Sequence, residues 1–235
     1  MPDSPSSAAT AALHRPVRSY VRRAGRQSPA QKRALDGLAP RYCIDYQPSL
    51  VDFPAIFGRD APVVLEIGFG MGETTARIAA EHPHIDFIAV DVHDPGVGSL
   101  LARIDAAALR NLRIVRHDAV DVVAQMIAPQ TLGGVHVYFP DPWPKKRHHK
   151  RRLLKPAFVH DLALRLVPGG YLHAATDWQP YADEILAAFA GEPLLANTAA
   201  GFASRPAWRP QTKFETRGLA LGHAVSDILF TRVAN

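Results

Sequence analysis

The chain contains a single cysteine, Cys43, among its 235 residues. One thiol cannot form an intrachain disulfide, and cysteine-based zinc sites need several thiols, so both a disulfide framework and such a metal site are excluded. Sparse cysteine usage is typical of a reducing compartment, and we expect a cytoplasmic location. No apolar run reaches the roughly 18 residues that a membrane-spanning helix requires, so we expect a soluble protein with no membrane partner.

Acidic residues are nearly absent from the first 26 positions, where Asp3 stands among Ser, Ala and Arg. Organelle transit peptides share this composition, and the apolar core of a secretory signal is missing. Because arginines continue into regular-looking sequence, we favour a flexible basic arm over residues 1–40. The remaining residues 41–235 are long enough to bury one large core as a single domain, while a monomer and a homodimer both stay open.

Positive charge is clustered along the chain, which has a formal net charge of +5 at pH 7. The main basic blocks lie before residue 42 and between residues 145 and 155. Clustered lysine and arginine favour a polyanionic partner such as a nucleic acid, whose phosphates would bind both blocks.

Short apolar segments alternate with periodic segments of helical length from residue 63 onward. Buried strands of a parallel sheet have this composition, and the fivefold β-α repeat predicts a doubly wound α/β domain with right-handed crossovers. The predicted strands are Val63–Ile67, Phe87–Val90, Leu112–Val115, Val135–Phe139 and Tyr171–Ala175. The predicted helices are Pro29–Leu38, Glu73–Glu81, Gly98–Leu109, Val120–Ile127, Lys155–Leu166 and Gln179–Ala190.

Two further strand-like segments end the chain, Lys213–Leu221 and Ser226–Val233, with a turn at Gly222 between them. Their spacing predicts an antiparallel hairpin at the edge of the sheet. Together with the five earlier strands, they predict a seven-stranded, Rossmann-like sheet.

A glycine-rich turn follows the first predicted strand in the segment Leu65-Glu-Ile-Gly-Phe-Gly-Met-Gly72. Gly68 and Gly70 allow a tight turn and let a ligand approach the backbone at the start of a helix. The third position of a dinucleotide fingerprint falls on Glu73, whose charge would repel a pyrophosphate. The turn therefore disfavours a nicotinamide or flavin cofactor.

Acidic residues stand at the ends of three consecutive predicted strands: Glu66, Asp91 and Asp118. In this order they suit the amino group of an amino-acid moiety, ribose hydroxyls and the exocyclic amine of adenine. Each acid alone has an ordinary structural explanation, and Asp118 in particular could cap a helix. Together they favour S-adenosyl-L-methionine as the cofactor.

Asp141 follows the fourth predicted strand and begins the stretch Asp141-Pro-Trp-Pro-Lys-Lys-Arg-His-His-Lys-Arg-Arg152. This strand lies beside the first across the switch point of a doubly wound sheet, so Asp141 should face the cofactor. The prolines around Trp143 stiffen the loop, and the basic run predicts contacts to a nucleic-acid backbone. His148 and His149 lack neighbouring acidic or cysteine ligands, so we expect no metal site.

Asp177 ends the fifth predicted strand, and another mixed segment, Thr212-Lys-Phe-Glu215, lies near the end of the chain. The Watson–Crick edge of guanine offers two N–H donors and one carbonyl acceptor. These groups could be bound by the acids Asp177 and Glu215 together with Thr212 and Lys213. The same segment also has the pattern of the polar face of an edge strand.

The motifs resemble those of the bacterial tRNA (guanine-N7-)-methyltransferase family over a region from about Arg18 to the end of the chain. The matching segments are Leu65-Glu-Ile-Gly-Phe-Gly-Met-Gly-Glu73, Pro95-Gly-Val-Gly98, His117-Asp-Ala119, Phe139-Pro-Asp-Pro-Trp143, Lys150-Arg-Arg152, Ala175-Thr-Asp-Trp178 and Thr212-Lys-Phe-Glu215. The resemblance implies a class I methyltransferase sheet, S-adenosyl-L-methionine as methyl donor, and transfer to N7 of the guanine at nucleotide 46 in the tRNA variable loop.

The resemblance also implies roles for individual residues, with Asp141 as the catalytic residue. The cofactor-binding acids would be Glu66, Asp91, Asp118 and Asp141, beside Gly68 and Gly70 of the turn. The substrate-binding residues would be Lys145, Asp177, Thr212, Lys213, Phe214 and Glu215. From their charge, Lys150, Arg151 and Arg152 are expected to bind the tRNA backbone.

Two positions depart from the family pattern: Asp91 stands where a glutamate is common, and Pro144 occupies a variable position. The Asp-Pro-Trp loop also has a loose likeness to the Asp-Pro-Pro-Tyr loop of enzymes that methylate the N6 amine of adenine. Outside the enzymes, the chain could be a tRNA-binding module with a vestigial cofactor fold. Methylation of an exocyclic amine and RNA binding alone are therefore the alternatives.

Overall fold

The computed structural model describes residues 26–211, Glu215 and residues 224–234. The strands are β1 (Cys43–Ile44), β2 (Val63–Ile67), β3 (Asp86–Val90), β4 (Leu112–Val115), β5 (Leu132–Tyr138), β6 (Leu166–Thr176), β7 (Leu195–Asn197) and β8 (Ser226–Arg232). The helices are α1 (Pro29–Tyr42), α2 (Phe53–Phe57), α3 (Glu73–Glu81), α4 (Asp94–Ala106), α5 (Ala119–Gln125), α6 (Pro156–Arg165), α7 (Gln179–Ala190) and a 3₁₀ helix, Lys146–Arg151.

The strands of the described residues join one sheet in the order β1-β4-β3-β2-β5-β6-β8-β7. Neighbouring strands are parallel from β1 to β6, and β8 runs antiparallel to both β6 and β7. From β2 the chain proceeds outward through β3 and β4, then returns to the other side of β2 as β5. The carboxyl ends of β2 and β5 therefore flank a topological switch point, where open α/β sheets bind ligands.

Strands β2 and β3 are buried along their whole length. On one face of the sheet, Leu65 and Ile67 belong to an apolar core with residues of α5, α6 and α7. On the other face, Val64 belongs to a core with residues of α1, α3 and α4. Alternate residues of one strand thus contribute to two cores, which is why these strands have continuous apolar sequences.

The prediction of a doubly wound α/β sheet with antiparallel strands at its C-terminal end is confirmed. Strands β2 and β4 and helices α3 and α7 have the predicted bounds. The sheet has eight strands within the described ranges, one more than expected, because Cys43 and Ile44 pair with β4 at the edge. A two-residue strand has no periodicity, so the sequence offers no signal for it.

The antiparallel strands are formed by partly different residues than predicted. Strand β8 pairs with β6 on one side and with Leu195–Asn197 on the other. Of that stretch the structure describes Glu215, which is helical and is bound to the buried Arg209; the rest lies outside the described residues. The alternation of polar and apolar residues in this stretch resembled the pattern of an edge strand, in which Glu215 would face solvent. In the structure Glu215 instead points inward and forms an ion pair with Arg209.

Helix α1 begins with a capping box in which Ser28 and Gln31 exchange hydrogen bonds of 2.8 and 3.2 Å. The helix packs so closely on α4 that a Cβ at Gly98 would lie 2.3 Å from the carbonyl oxygen of Gln31. The boundary expected at residue 40 therefore falls inside a helix that packs on the domain. The first 25 residues of the expected arm lie outside the described residues.

Candidate active site

The turn after β2 contains three glycines in the left-handed region: Gly68 at φ 78°, Gly70 at φ 57° and Gly72 at φ 71°. Residues with a side chain rarely adopt these angles, so the backbone itself requires glycine. A Cβ at Gly68 or Gly70 would meet no atom within 4 Å, whereas one at Gly72 would lie 2.6 Å from Leu100 Cβ. The first two glycines leave open space beside bare backbone, and the third allows α4 to pack.

A cavity of about 270 Å³ lies at the carboxyl ends of β2, β3, β4 and β5. Its wall includes the glycine turn and acids from three strand ends, namely Gly68, Gly70, Asp91, Asp118 and Asp141. The structure thus brings together five of the six cofactor-binding residues predicted from the sequence. The sixth, Glu66, is not part of this wall and is buried against α3.

Asp91 is fixed by three backbone N–H groups. Its Oδ1 accepts hydrogen bonds from Val92 at 2.7 Å and His93 at 3.0 Å, and its Oδ2 accepts one from Gly70 at 3.2 Å. Burial raises the pKa of Asp91 above its ordinary value, and the three N–H groups oppose this shift. A carboxylate has about four acceptor positions, so Asp91 retains one for a donor in the cavity, such as a ribose hydroxyl.

Glu66 is a buried carboxyl group with one engaged oxygen. Its Oε1 accepts a hydrogen bond from the Thr75 hydroxyl at 2.9 Å, and Oε2 has no partner among the described residues. Burial raises the pKa of Glu66 to about 7; the Thr75 hydrogen bond opposes the shift and the charge of Asp91 adds to it. Since buried polar atoms are almost always hydrogen-bonded, Oε2 suits a cationic donor such as the amino group of S-adenosyl-L-methionine.

Asp118 is the N-cap of α5, where its side chain accepts a hydrogen bond from the Val120 N–H at 3.1 Å. The capping role considered from the sequence is therefore confirmed, and the residue also lines the cavity. Beside it, His117 also lines the cavity, and its ring stacks on Tyr46, with ring centroids 3.6 Å apart and an interplanar angle of 8°. The sequence prediction missed Tyr46, because it follows the two-residue strand β1.

Asp141 lies on a loop whose backbone is strained on both sides of it. Phe139 and Trp143 have positive φ angles of 52° and 44°, which bulky residues rarely adopt. The Phe139 N–H donates to the backbone of β6 at 2.7 Å, and the Pro142 carbonyl accepts from Arg152 Nε at 2.9 Å. Such strain persists only where surrounding contacts enforce it. The exposed Asp141 carboxylate, which accepts no hydrogen bond from the described residues, is thereby held at the cavity wall.

Arg152 is buried, which disfavours the predicted contact with the tRNA backbone. Besides its hydrogen bond to Pro142, it forms an ion pair of 2.5 Å with Glu184, and its guanidinium lies 4.8 Å from the ring centroid of Tyr181. A guanidinium engaged on these sides does not present its charge to a phosphate. Arg152 instead holds the Asp141 loop to α7.

The other predicted RNA-binding residues of this run lie nearer the surface. Lys145 precedes the 3₁₀ helix and is exposed, as is Lys150 within it. Arg151 is half-buried, with its guanidinium 5.2 Å from the ring centroid of Trp143. Their exposure is compatible with contacts to RNA, which stay a prediction.

Asp177 follows β6 and is exposed at the edge where Asp141 follows β5. Because β5 and β6 are parallel neighbours, with Tyr138 opposite Ala175, both acids lie at the same edge of the sheet. The predicted catalytic acid and one predicted guanine-binding residue therefore share one side of the domain.

Glu215 is buried and bound to Arg209, for which the sequence pattern predicts no role. Arg209 Nη1 donates to Oε2 at 2.7 Å, and Nη2 donates to Oε1 at 3.0 Å. Both oxygens of Glu215 are engaged by one guanidinium, so a direct contact with guanine at this position stays a prediction. Thr212, Lys213 and Phe214 lie outside the described residues.

The described ranges contain no helix that is long and apolar enough to cross a membrane. They also contain no group of three or more His, Cys, Asp or Glu side chains that could hold a metal ion. His149 of the basic run has Glu184 as an ion-pair partner, with 3.7 Å between His149 Nδ1 and the carboxylate.

The strand order and the cavity at the switch point define a class I methyltransferase fold. A family model with the description "Putative methyltransferase" matches residues 60–228. The solved structure of the 16S rRNA methyltransferase KamB has a TM-score of 0.58 at 18% identity, covering 79% of this chain and 95% of that chain. TrmN from Thermus thermophilus has a TM-score of 0.53 at 17% identity, covering 76% of this chain and 46% of that chain. At these identities the likeness shows the fold.

Sequence relatives carry a more particular name, tRNA (guanine-N(7)-)-methyltransferase. The relative from Acidovorax sp. (strain JS42) is 56% identical over 233 residues, which cover 99% of this chain and 93% of the relative. The relative from Bordetella pertussis (strain Tohama I) is 59% identical over 231 residues, covering 98% and 88%. The chain belongs to the tRNA (guanine-N7-)-methyltransferase family.

Proposed function

We propose that this protein transfers a methyl group from S-adenosyl-L-methionine to N7 of the guanine at nucleotide 46 in the variable loop of tRNA. The carrying observation is the placement of Asp141, an exposed carboxylate that a strained loop holds at the wall of the switch-point cavity. The names of relatives at 56% and 59% identity support tRNA as substrate and N7 as the methylated atom. A tRNA substrate also supports a cytoplasmic location.

The cavity residues fit S-adenosyl-L-methionine, which would supply an electrophilic methyl group bonded to a sulfonium. Gly68 and Gly70 would let its methionine moiety approach the backbone, and Glu66 Oε2 would accept a hydrogen bond from its amino group. Asp91 would bind the ribose hydroxyls, and Asp118 would lie beside the adenine.

Methyl transfer to N7 requires no general base, since this nitrogen carries a lone pair and no proton. The lone pair forms the new N–C bond while the electron pair of the breaking S–C bond goes to sulfur, and the purine becomes cationic. Asp141 would orient the ring and stabilise its positive charge, so catalysis rests on positioning and electrostatics. Asp177, at the same edge, would accept from N–H donors of the Watson–Crick edge, which favours guanine over adenine.

The surface beside Asp141 would bind the tRNA backbone. Lys145, Lys150 and Arg151 lie within ten positions of the catalytic acid and supply three positive charges. Phosphate contacts of this kind fix the register of a nucleic acid and leave base selection to other residues. This proximity in the sequence supports backbone binding next to the site of methyl transfer.

Incubation of the purified protein with bulk tRNA and labelled S-adenosyl-L-methionine, followed by nucleoside mass spectrometry and position mapping, tests the proposal. We expect 7-methylguanosine at nucleotide 46 and no label in a matched tRNA with adenosine at that position. Label on an exocyclic amine would support that alternative and refute N7 transfer. Binding of tRNA without methyl transfer, and without heat release on adding the cofactor, would support an RNA-binding module.

A further inference from the structure

Arg209 lies at the centre of a buried ion cluster, with 1% of its side chain exposed. Its Nε and Nη2 donate to the two oxygens of Asp227, each at 2.7 Å. Its Nη1 and Nη2 donate to the two oxygens of Glu215. Four of the five N–H groups of the guanidinium are therefore used in two bidentate pairs, one with β8 and one with the Glu215 segment.

Asp227 connects Arg209 to the cavity wall through His173. The imidazole Nε2 donates to Asp227 Oδ1 at 2.8 Å, because a carboxylate can only accept, and Nδ1 then accepts from the Tyr138 hydroxyl at 3.1 Å. Burial lowers the pKa of His173 and raises that of Tyr138, so the imidazole stays neutral and the phenol keeps its proton. Since Tyr138 lines the cavity, one end of this hydrogen-bond chain is part of the site.

A second connection between Arg209 and the cavity runs through Phe139. The guanidinium carbon lies 5.9 Å from the centroid of the Phe139 ring, and that residue also lines the cavity. The strained Phe139 donates its N–H to the Ala175 carbonyl at 2.7 Å, and Ala175 pairs with Asp227 across β6 and β8. The start of the loop that presents Asp141 is therefore held by Ala175, the cross-strand neighbour of the Asp227 that binds Arg209.

Stability alone does not account for such a cluster. Burying a guanidinium and two carboxylates removes three charged groups from water, and their attraction offsets this cost only when the geometry is good. Apolar side chains of similar volume often give equal or higher stability at such sites. A buried cluster that contacts two cavity residues is better explained by a role in positioning the cavity wall than by a role in stability.

We infer that Arg209 is a positioning residue for methyl transfer, which ties the wall residues Tyr138 and Phe139 to Glu215. It thereby sets the position of the guanine relative to the methyl donor. The inference rests on the proposed function. Because Arg209 is not part of the cavity wall, it acts through its partners, and a misplacement of about 1 Å in the reacting groups can cost about 100-fold in rate.

The test compares Arg209→Lys with the matched change Arg232→Lys. Arg209 binds Asp227 near the start of β8, and Arg232 is the last residue of that strand. Arg232 is also buried, and its guanidinium donates to the carbonyl oxygens of Leu164 and Leu166, away from the cavity. Lysine keeps the charge but loses the planar fork, so Arg209→Lys should lower kcat on tRNA by about 100-fold. The dissociation constant of S-adenosyl-L-methionine, measured by calorimetry, should change by less than about twofold.

Equal loss of kcat in Arg209→Lys and Arg232→Lys, in proportion to their folded fractions, would overturn the inference. If Arg209→Lys does not fold, Asp227→Asn tests the same cluster, because asparagine keeps the shape and one acceptor oxygen. We then expect a fall in kcat of about tenfold with unchanged cofactor affinity, and an unchanged kcat would again overturn it. A wild-type protein that fails to methylate N7 would instead refute the proposed function, so the two failures are distinguishable.

Discussion

The buried guanidinium of Arg152 donates a hydrogen bond of 2.9 Å to the carbonyl oxygen of Pro142, the residue that follows Asp141. Two positions earlier, Lys150 is exposed on the 3₁₀ helix. One basic run therefore contributes both to the support of the Asp141 loop and to the surface proposed to bind RNA. The two residues are two positions apart in the sequence, and side-chain chemistry alone does not reveal which of them is buried.

Arg152→Gln should lower the free energy of unfolding by about 2 kcal/mol, because it breaks buried hydrogen bonds and leaves the Pro142 carbonyl without its donor. Lys150→Gln, the matched surface change, should alter that free energy by less than about 0.5 kcal/mol. Urea unfolding of both variants measures the difference. Equal stabilities would contradict the support role of Arg152.

The same pair separates structural support from RNA binding. Lys150→Gln should reduce the salt dependence of tRNA binding by about one unit of slope, since one phosphate contact is lost. Arg152→Gln should leave the slope unchanged in the folded fraction. Titration of tRNA binding against salt checks this, and an unchanged slope for Lys150→Gln would remove Lys150 from the RNA-binding surface.

Asp141→Asn should lower the rate of single-turnover methyl transfer by about 100-fold, because the amide keeps the shape but cannot stabilise the positive charge on the purine. The side chain is exposed and accepts no hydrogen bond from the described residues, so stability should be nearly unaffected. Asp60→Asn is the control, since Asp60 is exposed before β2, at the opposite edge of the sheet. If both single-turnover rate and cofactor affinity are intact in Asp141→Asn, Asp141 is not catalytic.

The fold was predictable from the sequence where packing requires a regular spacing of apolar residues. Continuous apolar strands such as β2, and amphipathic helices such as α3, have the bounds that their sequences indicate. Strand β1 was missed because two residues cannot show a period. Strand β7 was missed because Leu195–Asn197 takes its place beside β8 through long-range pairing, and one sequence segment cannot reveal its partner.

The position of the acids around the cavity was predictable for a related reason. Acids at consecutive strand ends must meet when parallel strands end at one edge, which placed Asp91, Asp118 and Asp141 around one cavity. The buried partners were not predictable, since Arg209 and Arg152 have the same chemistry as exposed arginines. Whether a guanidinium faces solvent or a carboxylate depends on tertiary contacts.

The stability of the protein should depend on the ionisation of Glu66. Its pKa rises from 4.5 in the unfolded chain to about 7 in the folded protein, mainly through burial. The protonated form therefore favours folding: this contribution is fully present below about pH 4.5 and is lost as the pH rises through about 7. Relative to wild type, Glu66→Gln should become more stable between about pH 5 and pH 8, as measured by urea unfolding.

Binding of S-adenosyl-L-methionine should show the opposite trend. A cationic amino group at Oε2 favours the ionised carboxylate, so affinity should increase as the pH rises through about 7. Glu66→Gln should bind more weakly and with a flatter pH profile in calorimetry. Parallel profiles for wild type and Glu66→Gln would show that the amino group does not bind Glu66.

The contact between α1 and α4 predicts opposite effects of the same substitution at two helical glycines. Gly98→Ala places a Cβ 2.3 Å from the Gln31 carbonyl oxygen and should lower stability by about 1–3 kcal/mol through overpacking. Gly37→Ala in α1 meets no atom within 4 Å and should raise stability by about 0.5–1 kcal/mol through helix propensity. Thermal or urea unfolding decides, and stabilisation by Gly98→Ala would mean that α1 does not pack as described.

The stack between Tyr46 and His117 predicts an effect on cofactor binding from outside the cavity wall. His117 lines the cavity beside Asp118, and its Nε2 lies 3.2 Å from an oxygen of Asp121, so Tyr46 and Asp121 both constrain the ring. Stacked aromatic pairs contribute about 0.5–1.5 kcal/mol. If that energy holds the ring in its binding position, Tyr46→Ala should weaken S-adenosyl-L-methionine binding by about 3- to 10-fold.

Tyr46→Phe keeps the stacked ring and serves as the control, with a dissociation constant within about twofold of wild type. The KM for tRNA should be unchanged in both variants, because Tyr46 acts through the cofactor side of the cavity. Calorimetry with the cofactor, together with steady-state kinetics on tRNA, separates these effects. Equal cofactor affinity in Tyr46→Ala and Tyr46→Phe would show that the stack stabilises only the fold, since a positioning role requires the ring face that phenylalanine retains and alanine lacks.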